Sequence, residues 1–237
     1  MNLLGTASYK TRKGESAGYM TGILYLMPAE SGGGVNLCPA STPECRALCL
    51  VTSGRGVMSH VQRGRKRKTD WWHRDQAGFM AQLTRDIEAL IRAAGRRGLT
   101  PVVRLNGTSD IDWCRVPVGR HANIFATFPG VQFYDYTKRI DILTRPRPAN
   151  YDLTFSRSEK NGRATTRMLA AGTRTAVVFA VGRHDPLPQT WLGRPVADGD
   201  KDDLRFLDRA GVVIGLRAKG AARRAPVGGF VMSAGAA

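Results

Sequence analysis

The chain has 237 residues and a formal charge of +17, set by 36 Lys and Arg against 19 Asp and Glu, and 42% of its residues are apolar. That is enough chain for one large domain or two small ones, and the charge points to a polyanionic partner or to the Ala-, Gly- and Arg-rich composition that a GC-rich genome gives. No apolar run approaches the roughly eighteen residues of a membrane span, and the N-terminus lacks the basic-then-apolar order of a secretory signal, so a cytoplasmic, reducing location is expected.

Residues 1–20 are polar and Gly-rich and read as an N-terminal extension. A strand is predicted at 21–26, ended by Pro28 and by Ser31, Gly32, Gly33 and Gly34. A loop carrying Cys38, Cys45 and Cys49 follows directly. Next comes a basic helical stretch with Arg63, Arg65, Lys66, Arg67 and Lys68. A second helix is predicted from Thr69 or Asp70 as its cap. Its apolar stripe is Phe79, Leu83, Ile87, Leu90, Ile91 and Ala94, and Gly95 and Gly98 stop it.

From there the chain repeats one pattern, a short apolar run that ends in a polar cluster. Residues 102–105 lead to 106–112, 131–134 to 135–138, 151–155 to 156–159, 195–197 to 198–200 and 212–216 to 217–219; the run 176–179 stands among them, and stretches such as 165–171 are helical or irregular. Strands with polar C-terminal ends are expected of α/β barrels and open α/β sheets, where the site gathers at that edge. The expectation is a single α/β domain. It is an incomplete (β/α) TIM-like barrel of about six strands, with the cysteine loop after the first strand. Residues 21–219 are its core, and 220–237 a small, polar tail, poorly ordered at its end.

Three thiols in one short loop are soft ligands suited to an iron–sulfur cluster or to zinc, and three ligands leave one coordination position open. Their C-x6-C-x3-C spacing lacks the paired C-x2-C knuckles of common zinc modules. A zinc site would need a fourth ligand from Cys114, His60 or His73. Asp110, Asp112, Asp135, Asp198 and Asp200 at strand ends suit a Mg²⁺-dependent nuclease, or simply cap turns. Lys138 is an acid, a base, a phosphate anchor or a solvated charge. The basic run Arg63, Arg65, Lys66, Arg67 and Lys68, followed by Trp71 and Trp72, mixes cations with flat aromatic faces. Such a surface clamps phosphates and stacks on bases, or is a solvated helix face with buried tryptophans.

The phrases Leu24-Tyr-Leu-Met-Pro-Ala29, Cys38-Pro-Ala with Cys45 and Cys49-Leu50, Arg104-Leu-Asn-Gly-Thr-Ser-Asp-Ile-Asp-Trp113, Phe133-Tyr-Asp-Tyr-Thr-Lys138, Asn150-Tyr-Asp-Leu-Thr-Phe-Ser156, Asp198-Gly-Asp200, Asp203-Leu-Arg-Phe-Leu-Asp208 and Gly215-Leu-Arg-Ala-Lys-Gly220 resemble the phage gene product eighty-eight family. For a phage-encoded chain the expected compartment is the host cytoplasm. The order of these phrases is also similar to phage proteins that resemble radical S-adenosylmethionine enzymes. That resemblance implies a [4Fe–4S] cluster on Cys38, Cys45 and Cys49, with S-adenosylmethionine at its open iron. It implies that Asn106, Gly107 and Ser109 receive the cofactor's methionine part, and that Ser156 and Glu159 receive its ribose. Asp110, Asp135 and Lys138 are then the candidate catalytic groups, and nucleic acid or a nucleotide the substrate. The alternatives are a non-catalytic nucleic-acid-binding protein with structural zinc, and the Mg²⁺-dependent nuclease. The loop departs from the C-x3-C-x2-C usual in those enzymes by being longer.

Overall fold

A computed structural model describes residues 1–6 and 9–235, with Tyr9 and Lys10 described in backbone only. The elements in chain order are β1 (Leu4–Gly5), α1 (Tyr9–Glu15), β2 (Tyr19–Leu24), α2 (Pro43–Ala47), α3 (Ser59–Arg74), α4 (Gln76–Arg96), β3 (Thr100–Arg104), α5 (Ile124–Thr127), β4 (Gln132–Thr137), α6 (Ile140–Thr144), β5 (Tyr151–Ser156), α7 (Gly162–Ala170), β6 (Thr175–Phe179), β7 (Thr190–Trp191), β8 (Arg194–Asp198), β9 (Val213–Arg217) and β10 (Val231–Met232), with short 3₁₀ turns between. The fold is mixed α/β with a large, mostly parallel sheet. The chain divides into two compact units. One holds residues 1–39, 59–135 and 145–152; the other holds 40–58, 136–144 and 153–237.

In the first unit β2, β3 and β4 run parallel, with Gly22 opposite Val103 and Val103 opposite Phe133. β1 adds antiparallel to β2, Leu4 facing Leu24. The expected N-terminal extension, residues 1–20, holds this strand and the helix α1. Too short to show a hydrophobic period, β1 is recruited by pairing. Asp86 holds it in place, its carboxylate accepting the Leu3 and Leu4 N–H at 2.5 and 3.1 Å. The stripe of α4 buries Phe79, Leu83, Ile87, Leu90 and Ala94, the first four contributing roughly 1.5–3 kcal/mol each. Leu90 comes so close to β2 that a Cβ on Gly22 would stand 2.9 Å from its methyl.

The predicted cap at Thr69 or Asp70 is corrected. α3 runs through both, and α4 starts after Asp75, whose carboxylate accepts the Gly78 N–H at 2.8 Å. The Thr69 hydroxyl is committed elsewhere, donating to Arg65 O and accepting from Met27 N.

In the second unit β5, β6, β9 and β8 run parallel, with Phe155 opposite Thr175, Val177 opposite Gly215 and Ala197 opposite Ile214. Alternation sorts the two faces. Val177, Phe179 and Val213 pack with Leu169 and Trp191, and Phe155 packs with Ala164 and Met168. On the other face Ala176 and Ile214 pack with Tyr136 and Leu216. Within the expected tail 220–237, Val231 and Met232 form β10, parallel to β6. Residues 236–237, where that tail is expected to lose order, lie outside the described residues.

Candidate functional site

The polar cluster after β3 is a closed knot within the first unit. The Asn106 amide oxygen accepts from the Ser109 hydroxyl, the Ile111 N–H and the Trp113 indole N–H at 2.9–3.0 Å, and its amide nitrogen donates to Ile111 O. Gly107 is required by close approach, since a Cβ there would lie 2.6 Å from Leu24 O and from the Tyr25 ring. The Thr108 hydroxyl donates to Leu26 O, Asp110 N–H donates to Leu37 O, and the Cys38 thiol lies 3.6 Å from Thr108 O. Asn106, Ser109 and Asp110 are all buried.

Asp135 lies beside this knot and is 1% exposed. Its carboxylate accepts the Asn106 N–H at 2.7 Å and the Tyr151 hydroxyl at 3.1 Å. Burial pushes its pKa up to about 7, and Asp110 adds to the rise; the Arg104 charge and the two donors oppose it. Burial and the Asp135 carboxylate push the Tyr151 phenol well above its ordinary range. Phe133 and Tyr151 both pack on Phe125, which places Asp135 on the strand face that α5 covers. Asp112 pairs with Arg145, which also bonds the half-buried Cys114 thiol. Burial, with Asp112, raises that thiol's pKa.

The second unit gathers the other predicted residues. Lys138, just beyond β4, donates from Nζ to the Ser156 hydroxyl at 2.9 Å, and its ammonium lies 5.6 Å from the Phe230 ring centroid. Glu159 turns toward the cysteine segment. Its carboxylate accepts the Thr42 hydroxyl at 2.7 Å and the Glu44 N–H at 3.1 Å. Burial works to raise the Glu159 pKa, but these donors and Lys160 outweigh it and hold the carboxyl below its ordinary value. Thr42 in turn caps α2, accepting from Cys45 N. Cys45 thus lies in the first turns of α2, and Cys49 opens the 3₁₀ turn that follows. Both are half-buried. Thr42-Pro43-Glu44 is a legible helix start, a capping threonine with proline at the first turn.

None of the four cysteines is in a disulfide. Cys38 belongs to the first unit, Cys45 and Cys49 to the second. Among the described residues, no group of three or more His, Cys, Asp or Glu is placed to hold a metal ion. The two predicted aspartates of the second unit are occupied: Arg217 bonds Asp198 and Asp200, and Lys219 bonds Asp200.

The basic run lies on α3. Arg63, Lys66 and Arg67 are exposed, although Lys66 also pairs with Asp70 at 2.8 Å. Arg65 lies over the Tyr25 ring at 5.0 Å. Lys68 is turned inward and donates to Leu3 O at 2.6 Å; burial lowers its pKa, against the pull of Asp86. Trp72 is buried edge-on against Phe79 and Trp113, so its rings serve the core. Trp71 is partly exposed, edge-on to Phe79. Of the participants that sequence reasoning passed over, Arg104 and Tyr151 border Asp135. Glu44, Arg157 and Phe230 border the cysteine segment.

The fold is therefore that of a mixed α/β protein, with polar clusters following its parallel strands. The chain matches the family model described as Gene product 88 over residues 2–228 and belongs to that family. Comparison with curated proteins and with solved structures returned no match. No helix among the described residues is long and apolar enough to cross a membrane.

Proposed function

We propose that this chain is an iron–sulfur enzyme of the radical S-adenosylmethionine-like kind, built on an incomplete (β/α) barrel and acting on nucleic acid or a nucleotide in the cytoplasm. The observation that carries the proposal is the spacing of Cys38, Cys45 and Cys49, three thiols outside any disulfide within one short stretch of chain. As a donor set they suit iron by their softness. As the side chains stand, no metal-holding group is assembled among the described residues. A bound [4Fe–4S] cluster would supply one electron at a time to a cofactor on its open iron.

The chain's own groups have definite parts in this reading. Lys138 and Ser156 present a cation and a hydroxyl 2.9 Å apart, a pair suited to an anionic or hydroxyl-bearing ligand. Glu159 positions the cysteine segment through Thr42 and Glu44 and so leaves less capacity for a ribose. Asn106 and Ser109, on either side of Gly107, make their hydrogen bonds internally and so leave less capacity for a cofactor's methionine part. The test is iron and sulfide analysis of protein purified without oxygen. Bound iron and a brown colour, lost on joint Cys38→Ala, Cys45→Ala and Cys49→Ala substitution, are expected. Iron-free, colourless wild-type protein overturns the proposal.

A second reading is a nucleic-acid-binding protein with structural zinc. Its support is the exposed Arg63, Lys66 and Arg67 on one helix of a chain with charge +17. It predicts bound zinc, no iron and affinity that falls steeply with salt.

A further inference from the structure

We propose that Gly228, Gly229 and Phe230 form a latch that couples the Cys45–Cys49 segment to Lys138, so that loosening one exposes the other. The inference uses the polar strand end of the reading above but requires no metal. Every group in it belongs to the second unit.

The latch is held at both ends by buried or half-buried charges. On the cysteine side, the Phe230 N–H donates to the Glu44 carboxylate at 2.6 Å. Glu44 lies between Pro43 and Cys45 in α2. On the strand side, Arg157, 9% exposed, donates from Nη1 to Gly229 O at 2.6 Å. Bonds to charged groups of this kind are worth more than neutral ones. The Phe230 ring then lies beside the Lys138 ammonium.

Local geometry requires this chain path. Gly228 has φ +98, which favours glycine, and a Cβ on Gly229 would collide with the Glu44 carboxylate. Apolar contacts reinforce the coupling. Leu48, between the two cysteines, packs with Phe230 against Ala218, Ala222 and Val231. At the far end of the segment, Gly220, with φ +56, meets Ser53 so closely that a Cβ would stand 2.7 Å from its side chain.

Helix α2 is five residues long and buries none of its own side chains. A short helix without a buried face draws its stability from its neighbours. Its position is therefore set by Glu159 on one side and the latch on the other. A change at Cys45 moves Glu44, Glu44 releases Phe230, and Phe230 uncovers Lys138. By linkage, a ligand that engages Lys138 and displaces Phe230 alters the cysteine segment by the same free energy.

The test uses the full-length, reduced, metal-free protein and two labels, N-ethylmaleimide for thiols and an acetylating N-hydroxysuccinimide ester for amines, each mapped by peptide mass spectrometry. Glu44→Gln keeps the shape but weakens the bond to Phe230. Alkylation of Cys45 and Cys49 and acetylation of Lys138 are expected to rise together by about five-fold, roughly the equilibrium change for one weakened hydrogen bond. Cys114 serves as the internal reference and should not change. Phe230→Leu, which keeps an apolar side chain, should raise Lys138 labelling more than cysteine labelling. If Glu44→Gln perturbs folding, seen as a change at Cys114, the Phe230→Leu protein decides between the outcomes. Unchanged Lys138 labelling in a folded variant overturns the latch, as does cysteine labelling that rises alone. Iron content decides the enzyme reading separately, because no metal enters this experiment.

Discussion

The knot around Asn106 and the cluster around Lys138 follow strands in the same manner, yet they spend their polar atoms differently. In the knot the Asn106 amide closes its hydrogen bonds on Ser109, Ile111 and Trp113, and Asn106, Ser109, Asp110 and Asp135 are all buried. Around Lys138 they reach outward in the chain, to the cysteine segment through Glu159 and to the C-terminal segment through Arg157. Lys138, Ser156 and Glu159 remain partly exposed. Polar residues after a strand therefore do not have one meaning. A side chain whose donors and acceptors are already matched inside the protein is a framework group, and one with surface left is a candidate for binding.

The sharpest way to break this contrast is to attack the knot. Trp113 is fully buried and donates its indole N–H to Asn106. Trp113→Ala should cost about 3–5 kcal/mol, read as a lower midpoint in urea denaturation. Asn106→Ala leaves the Ser109, Ile111 and Trp113 donors without their acceptor and should cost roughly 2–3 kcal/mol. A variant at Asn106 that folds as stably as the wild type would remove the claim that the knot is framework and make Asn106 a binding group again.

Asp135 sharpens the contrast through pH. Its folded pKa of about 7 lies above that of an unfolded carboxyl, so the folded protein holds the proton over the window between them. The contribution is present in full below the unfolded value near pH 4 and is lost as pH rises through about 7. Asp110 across the site adds to this loss, while Arg104, the Asn106 N–H and the Tyr151 hydroxyl limit it. Asp135→Asn cannot ionise and still offers an oxygen to Asn106 N–H. The stability difference between the variant and the wild type should move in the variant's favour from pH 4 to pH 7 and then level off. A flat difference in thermal midpoint across that range would mean that Asp135 is charged throughout.

Glu159 has the opposite sign and a smaller effect. Its folded pKa is depressed, so its contribution is present above the ordinary carboxyl value and fades as pH falls through the depressed one. Glu159→Ala should cost about 1–2 kcal/mol and raise hydrogen exchange at 42–47, because Thr42 and Glu44 lose their acceptor. Exchange confined to residues next to Glu159 would separate this strand end from the cysteine segment.

Much of this was legible in the sequence, for reasons that differ by element. The runs at β3, β5, β6 and β9 are apolar and bounded by turn residues, and the stripe of α4 keeps helical spacing over five buried positions, Phe79, Leu83, Ile87, Leu90 and Ala94. β1 and β10 were not legible, since a two-residue strand has no period and exists through its partner, β2 for one and β6 for the other. The break between α3 and α4 was misplaced because Thr69 and Asp70 look like caps, whereas the Thr69 hydroxyl is engaged by Arg65 O one turn back and by Met27 N, distant in sequence. Glu159 was legible as a polar strand end but not as the acceptor for Thr42, more than a hundred residues earlier in the chain. Trp72 shows the same limit. Composition put it in a basic, aromatic stretch, and packing against Phe79 and Trp113 took it into the core.

The smallest effect on stability belongs to the exposed cations, and it isolates the charge from the fold. Arg63 and Arg67 are exposed on α3, and the double change Arg63→Ala and Arg67→Ala should alter stability by no more than about 0.5 kcal/mol per site. If α3 lies along a phosphate backbone, removing two contacts should flatten the plot of log affinity against log salt by roughly 0.9 per contact on duplex DNA, or 0.7 on a single strand. Trp71→Ala adds a second axis. A partly exposed ring that stacks on bases should matter more for single strands than for duplex, whereas loss of charge weakens both. An unchanged slope in the arginine variant would assign nucleic-acid affinity to other parts of this basic surface and leave α3 with a purely structural part through Thr69 and Trp72.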